Sequence, residues 1–559
     1  ARWLAVPGLA LAVIGCSDSS DEPTAARVDG SDPNAVNTTE GAVLGESRSV
    51  GNGSDMRAWL GIPYARSPSG ERRFAAPQPP NPRSEILQVK ELADACPQTP
   101  QQSPFAIQNT NQDIETSEDC LNLNIFAPST GDDDHPVMVW FHGGGLDTGA
   151  GAQSGGNPDR LVDQGVVVVT VNYRLGLLGY LAHPALTDSS TTDQAGSGNY
   201  GLMDQIRALE WVQDNIENFG GDASNVTVFG ESAGGFSIKG LMAANERTEG
   251  LFQRAIIQSG PSINQETLDE AEARGGEFMS GLCPNEPSEE SASCLRDLST
   301  TELLSAQIGP PEFDASIIQR PGVLEQPVGE ALAFGQFTAD QILEGTNRDE
   351  WRLFVAAEQF VTGRDSLESR INNDQAYQDE LISRYGFVTA QNIGAVVSAY
   401  PLSDFANADL AVSAVGTDPI FACRGFANIL ASAQRVPVYA YEFADRDAPL
   451  PDPRLAQVEP TLGAGHATEI PYVLAPATSI TGDFTDDSAS LADAMVRYWA
   501  SFARDGDPNP SDGSLPMWEP FPDQGYQSLE APASDSAPFS ALRGSSFAEY
   551  HNCSLWSGG

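Results

Sequence analysis

Basic charge is what this chain has least of. Its 559 residues carry 30 Lys plus Arg against 77 Asp plus Glu, a formal net charge of −47, and the only lysines are Lys90 and Lys239. A field of that sign repels phosphate backbones, which argues against nucleic acid as a partner, and self-repulsion keeps such a chain soluble. The same composition suits high salt, where screening removes the repulsion that opposes a compact state, and it equally suits a lineage that prefers arginine. Histidine is scarce too, at five residues. No His, Cys and Asp cluster shows metal-ligand spacing, so neither a metal nor another cofactor is expected. No fixed-period repeat is present, and one large α/β unit with insertions accommodates the length.

Long apolar runs are missing as well. Residues 3–15, behind Arg2, are uncharged but too few to span a bilayer, and they fit the apolar region of a secretory signal. The run ends Val13-Ile-Gly-Cys16 and resembles a bacterial lipobox, in which the cysteine is lipidated. We therefore expect a lipoprotein-type signal over 1–15 with an incomplete start at Ala1, lipidation at Cys16, a polar Ser/Asp/Pro/Thr tether over 16–37, and a catalytic domain over 38–559. A plain cleaved signal is the alternative. Of seven cysteines, setting Cys16 aside leaves Cys96, Cys120, Cys283, Cys294, Cys423 and Cys553. An even set suits an oxidising compartment, and its fifteen possible connectivities stay open at this level.

What is present is organised around Asn225-Val-Thr-Val-Phe-Gly-Glu-Ser-Ala-Gly-Gly-Phe-Ser237, a β-branched run that stops at Gly230 and leads into small residues. It reads as strand, tight turn and helix, with Ser232 on a G-x-S-x-G elbow and the Ala233 N–H aimed at whatever carbonyl the serine attacks. Upstream, Pro136-Val-Met-Val-Trp-Phe-His-Gly-Gly-Gly145 reads as a buried strand running into three glycines, whose N–H groups can converge on one oxygen. Residues 166–171 form an apolar run expected of a central parallel strand, and 201–216 have helical period. Residues 42–44 and 56–60 read as edge hairpins, and strands near 137, 167 and 226 alternate with helices, which predicts a mostly parallel sheet.

A serine nucleophile needs a histidine to take its proton and a carboxylate to orient that histidine. In the α/β-hydrolase order Ser, acid, His, only His466 and His551 follow Ser232. His466 lies in Gly463-Ala-Gly-His-Ala-Thr-Glu, a small-residue loop able to place an imidazole, whereas His551 sits beside Cys553 at the chain end; His466 is the expected base. The acid is expected after Gln341-Ile-Leu-Glu-Gly-Thr-Asn-Arg, where a short apolar segment leads to Asp349 and Glu350. Spacing does not separate those two.

At this point the chain resembles a family. Cys120-Leu-Asn-Leu-Asn, His142-Gly-Gly-Gly, Asn172-Tyr-Arg-Leu-Gly, Gly198-Asn-Tyr-Gly-Leu-Met-Asp-Gln, Gly230-Glu-Ser-Ala-Gly-Gly, Gly345-Thr-Asn-Arg-Asp-Glu and His466-Ala-Thr-Glu-Ile-Pro-Tyr are similar, in order, to the type-B carboxylesterase (cholinesterase-like) family. So is Tyr498-Trp-Ala-Ser-Phe-Ala-Arg-Asp-Gly-Asp-Pro-Asn, and the likeness runs from about Gly41 to Trp556. The resemblance implies an α/β-hydrolase fold, Ser232 as nucleophile, Glu350 as acid, His466 as base, and Gly144, Gly145 and Ala233 as the oxyanion hole. It also implies disulfides Cys96–Cys120, Cys283–Cys294 and, as in the bacterial branch, Cys423–Cys553. Cholinesterases hold a quaternary ammonium on a tryptophan in the first disulfide loop; residues 97–119 contain none, so choline-ester specificity does not carry over. The expected activity is hydrolysis of a small-molecule carboxylic ester through an acyl-enzyme, outside the cytoplasm, with membrane attachment only through Cys16. Lipase, thioesterase and amidase chemistry use the same triad, and some esterase-fold proteins are non-catalytic adhesion modules that lack the serine or histidine present here.

Overall fold

Runs of β-branched and aromatic residues that are apolar on both faces build the centre of the molecule. The computed structural model describes residues 25–556 except 50–54, 99–114, 130–133, 152–157, 189–195, 261–264, 285–286, 309–312, 364–365, 451–454, 456–460, 475–483, 524, 532–538 and 543. The strands are β1 (Ala35–Thr38), β2 (Gly41–Leu44), β3 (Glu46–Ser49), β4 (Asp55–Pro63), β5 (Leu87–Gln88), β6 (Asn122–Pro128), β7 (His135–Phe141), β8 (Val167–Val171) and β9 (Gly221–Glu231). They continue with β10 (Arg254–Gln258), β11 (Gln341–Asn347), β12 (Val438–Phe443), β13 (Tyr526–Leu529) and β14 (Phe539–Leu542). Among the described residues, eleven of them form one sheet in the order β14-β13-β12-β11-β10-β9-β7-β8-β6-β4-β3.

From β8 to β13 neighbouring strands run parallel, with β7 paired to β8 and β9, then β10, β11, β12 and β13 in turn. The edges are antiparallel, where β3, β4 and β6 form one flank and β14 the other. The mostly parallel sheet expected from the sequence is thus present, with one refinement. β8 is parallel to β7 but antiparallel to β6, and its apolar residues are all buried because both faces are covered whatever the neighbour's direction.

The pleat sends alternate residues into two cores. Val137, Val139, Phe141, Val226 and Val228 face one core, which α1 (Tyr200–Asn215) and α2 (Ala233–Ala243) close with Leu202, Leu209, Ile238 and Leu241. Met138, Trp140 and Phe229 face the other, closed by Met495, Trp499 and Phe502 of α3 (Asp486–Asp505). This leaves the carboxyl ends of β9, β10 and β11 side by side at one rim, where α/β folds gather their reactive groups.

The hairpin expected near the start of the chain is β3–β4 on the sheet edge, whereas residues 42–44 belong to a separate three-stranded sheet, β1-β2-β5. The tether expected to reach residue 37 ends sooner. Ala26 N–H donates to Arg83 O at 2.7 Å, Val28 N–H donates to Asn37 Oδ1 at 2.9 Å, and β1 pairs with β2. Val36 and Thr38 alternate into the interior, so this polar-looking stretch has enough apolar surface and enough partners to pack. The signal and Cys16 lie outside the described residues. Cys96–Cys120, Cys283–Cys294 and Cys423–Cys553 are each joined as a disulfide, the pairing the family resemblance implied and a mark of exported proteins. No described helix is long and apolar enough to cross a membrane.

Candidate active site

The turn between β9 and α2 is what exposes Ser232. Its backbone is held at φ 56°, ψ −122°, outside the regions a serine ordinarily adopts, and its N–H donates to Gln258 O at 2.9 Å. The turn closes this tightly because position 234 carries no side chain: a Cβ on Gly234 would lie 1.9 Å from Phe141 O. Ala233 is the first helical residue, so its N–H has no partner within α2 and points out of the helix start beside the hydroxyl. Gly144 and Gly145, expected to complete the oxyanion hole, both take left-handed backbone after β7, at φ 105° and 68°. Thr148 and Asp147 N–H groups bond Gly144 O at 3.0 and 3.1 Å, which folds the glycine loop back on itself next to the elbow.

His466 Nε2 lies 2.8 Å from Ser232 Oγ, and its Nδ1 lies 2.6 Å from Glu350 Oε2. The other carboxylate oxygen, Glu350 Oε1, accepts from Asn347 N–H at 2.7 Å, and His466 N–H donates to Glu350 O at 3.3 Å. Phe354 and Phe421 flank the imidazole with ring centroids at 5.1 and 4.9 Å. Histidine and glutamate are fully buried and the serine is 7 % exposed, so a hydroxyl, an imidazole and a carboxylate stand in line with only the first open to solvent. Asp349 turns the other way. Its Oδ1 is 2.7 Å from Arg352 Nη2, and its Oδ2 accepts from Ala464 N–H at 3.2 Å, pinning the loop that carries His466.

The chain matches the Carboxylesterase family over residues 32–548. Para-nitrobenzyl esterase of Bacillus subtilis (strain 168) is 34% identical over 487 residues, 85% of this chain and 90% of the relative. The chain belongs to the carboxylesterase family. Fumonisin B1 esterase of Sphingopyxis macrogoltabida is 33% identical over 526 residues, 90% of this chain and 87% of that protein. A solved PNB esterase superposes with a TM-score of 0.73 at 28% identity, covering 93% of this chain and 99% of the other. The architecture is that of an α/β-hydrolase, and the protein is a carboxylic-ester hydrolase.

Two acids of this carboxylesterase escaped the sequence reading. Glu231, read only as the spacer in G-x-S-x-G, is fully buried with Oε1 3.1 Å from His466 Nε2. Burial pushes its carboxyl well above the usual carboxylate range, and Glu469 and Glu350 push it further against the pull of His466. Glu469, inside the histidine motif, accepts from Asn347 Nδ2 at 2.6 Å and from Gln258 Nε2 at 3.2 Å. The available signal was a polar residue, Gln258 or Asn347, at the carboxyl end of a buried strand. Burial opposes charge on His466, but Glu231 and then Glu350 outweigh it and raise the imidazole to about 9. His551, set aside at the sequence level, lies away from Ser232: Nδ1 is 2.6 Å from Asp418 Oδ1 and Nε2 2.8 Å from Glu442 Oε1, next to the Cys423–Cys553 bond.

Proposed function

We propose that Ser232 is the nucleophile, His466 the base and Glu350 its orienting acid, with the N–H groups of Gly144, Gly145 and Ala233 receiving the oxyanion. The line of 2.6 and 2.8 Å contacts from Glu350 through His466 to Ser232 carries this reading. Because Nδ1 faces a carboxylate, it holds the proton, which leaves Nε2 free to accept from the serine hydroxyl. Ser232 Oγ attacks the ester carbonyl as His466 takes its proton, and the charge that develops on oxygen meets backbone donors already in place. Collapse breaks the carbonyl–alkoxy bond, His466 returns the proton to the departing alcohol, and an acyl-Ser232 remains. Water, deprotonated by the same imidazole, then releases the carboxylic acid and restores the hydroxyl.

The substrate is a small-molecule ester. Relatives named for para-nitrobenzyl and fumonisin esters support an ester of that kind, and the lack of tryptophan over residues 97–119 supports an alcohol other than choline. A panel of p-nitrophenyl esters of rising chain length beside a triglyceride emulsion, run with the parent and Ser232→Ala, tests both the class and the nucleophile. Short-chain turnover abolished by Ser232→Ala is expected; preference for the emulsion would make it a lipase, and an active, folded Ser232→Ala protein would remove the serine mechanism. Lipidation at Cys16, followed by a tether into one catalytic domain, is the corresponding proposal for location. In a bacterial host Cys16→Ser should move the protein out of the membrane fraction, and an unmodified N-terminus beyond Cys16 in the parent would replace the anchor with simple secretion.

A further inference from the structure

One of the two lysines of the chain lies in its interior, where a cation is hardest to place. Lys239, on α2, is fully buried; its Nζ donates to Gly260 O at 2.6 Å and lies 2.7 Å from Oε1 of the equally buried Glu344. Glu344 sits mid-strand on β11 between Ile257 of β10 and Ala440 of β12, on the face that α2 covers. Burial raises its carboxyl and the Lys239 ammonium pulls it back. One turn before Lys239, on the same side of α2, Gly235 packs against Gly260 so closely that a Cβ on Gly260 would lie 2.5 Å from Gly235 C. Ser259 N–H then ties this corner to Gly345 O of β11 at 2.9 Å.

Filling this space needs no charge. Apolar side chains of similar volume generally fill such a site as stably as a buried ion pair. What they lack is direction: an ammonium hydrogen-bonded at once to a loop carbonyl and a strand carboxylate allows one placement of the helix, whereas methyl groups slide. We propose that the Lys239–Glu344 pair is a positioning device that sets α2, with Ser232 at its start, in register with β11, which leads to Glu350, so that His466 can bridge the two. Neither residue touches the reacting atoms. The inference rests on the triad reading above.

The test compares two variants whose effects on stability and on turnover should run in opposite directions. Both are assayed with p-nitrophenyl acetate well below their melting points, after titration of the parent with diethyl p-nitrophenyl phosphate and mass-spectrometric location of the adduct. In Lys239→Met/Glu344→Leu the charges go together, so Tm should stay within a few degrees while kcat falls about tenfold or more and KM changes less than about twofold. In Glu344→Gln the ammonium loses its counter-charge and Tm should drop, but the amide oxygen still accepts from Lys239 and kcat should stay within about threefold of the parent. A merely structural pair would make kcat follow Tm in both. Parent-like kcat in the double variant, or kcat falling with Tm in Glu344→Gln, overturns the proposal; should the double variant not fold, Glu344→Gln decides alone. A parent that takes the phosphoryl group anywhere but Ser232 overturns the triad reading instead, and the positioning claim with it.

Discussion

Asp349 and Glu350 are adjacent in sequence and opposed in use: Glu350 Oε2 lies 2.6 Å from the His466 imidazole, while Asp349 Oδ1 lies 2.7 Å from Arg352 and Oδ2 holds Ala464 N–H. One carboxylate touches the His466 imidazole directly and the other touches the loop that carries it. Replacing Glu350 by Gln keeps the shape but offers the imidazole an amide, which favours the wrong tautomer, and kcat should fall about 10²–10⁴-fold. Asp349→Asn should lower Tm, through loss of its ion pair with Arg352, and reduce kcat only a few-fold. Steady-state kinetics and melting curves on the two variants separate these roles, and a larger kcat loss in Asp349→Asn would reverse the assignment.

A second expectation concerns Glu231 and the pH profile. In the proposed mechanism His466 must be neutral to accept the serine proton, and Glu231 is the strongest of the carboxylates holding it at about 9. The carboxyl of Glu231 is itself raised by burial, so the pair titrates as one coupled system with macroscopic steps. Removing the negative charge with Glu231→Gln should make the imidazole give up its proton more easily. The acid limb of kcat/KM should therefore move to lower pH, although the maximum rate can fall. An acid limb that stays in place or moves upward would detach Glu231 from the titration of His466.

Glu231 marks where the sequence stopped being legible. Ser232 could be singled out because Gly230 and Gly234 punctuate a β-branched run, and His466 because three of the five histidines precede the serine and it alone of the other two lies in a small-residue loop. Both signals are local or depend on scarcity. Glu231 lies within the best motif of the chain and was invisible, since its role depends on the His466 loop arriving from far along the sequence to within 3.1 Å. Spacing left Asp349 and Glu350 unseparated for the same reason, and only the family resemblance pointed to Glu350: adjacent residues differ in direction, and direction is set by Ala464 and Arg352. Parallel strands were readable from apolar runs, but the reversed β6 was not, because burial on both faces looks alike in either orientation.

The chain end should titrate as a clamp. Burial opposes charge on His551, yet Asp418 and Glu442 hold it up to about 10, against an ordinary value of 6.5. A raised folded-state value means that the stabilisation is fully present below about pH 6.5 and fades as pH climbs through about 10. His551→Gln should melt well below the parent at pH 6, and the gap between the two should close toward pH 10. Taking the difference cancels the titrating groups that do not touch His551, so the change with pH reports His551 together with Asp418 and Glu442. A gap that widens with pH would show that His551 is held neutral.

The last expectation concerns the acidic surface. With 77 acids against 30 bases, and with Lys239 consumed inside the fold, Lys90 is the only lysine left to offset surface carboxylates, the remaining bases being arginines. Like charges then crowd one another, and their repulsion works against the compact state more than against an expanded chain. Salt should relieve it, because the screening length shrinks from about 10 Å at 0.1 M to about 3 Å at 1 M, less than the separation of neighbouring surface groups. Surface ion pairs such as Arg497–Asp512 are weakened by the same screening, but exposed pairs contribute little, so the balance favours the folded state. Sodium chloride is the right titrant, since sulfate would also strengthen apolar burial. Tm should rise from low to molar NaCl and esterase activity should persist there. A melting point that is flat or falling across the series would mean that the net charge of −47 serves solubility or reflects an arginine-preferring lineage, and not life in brine.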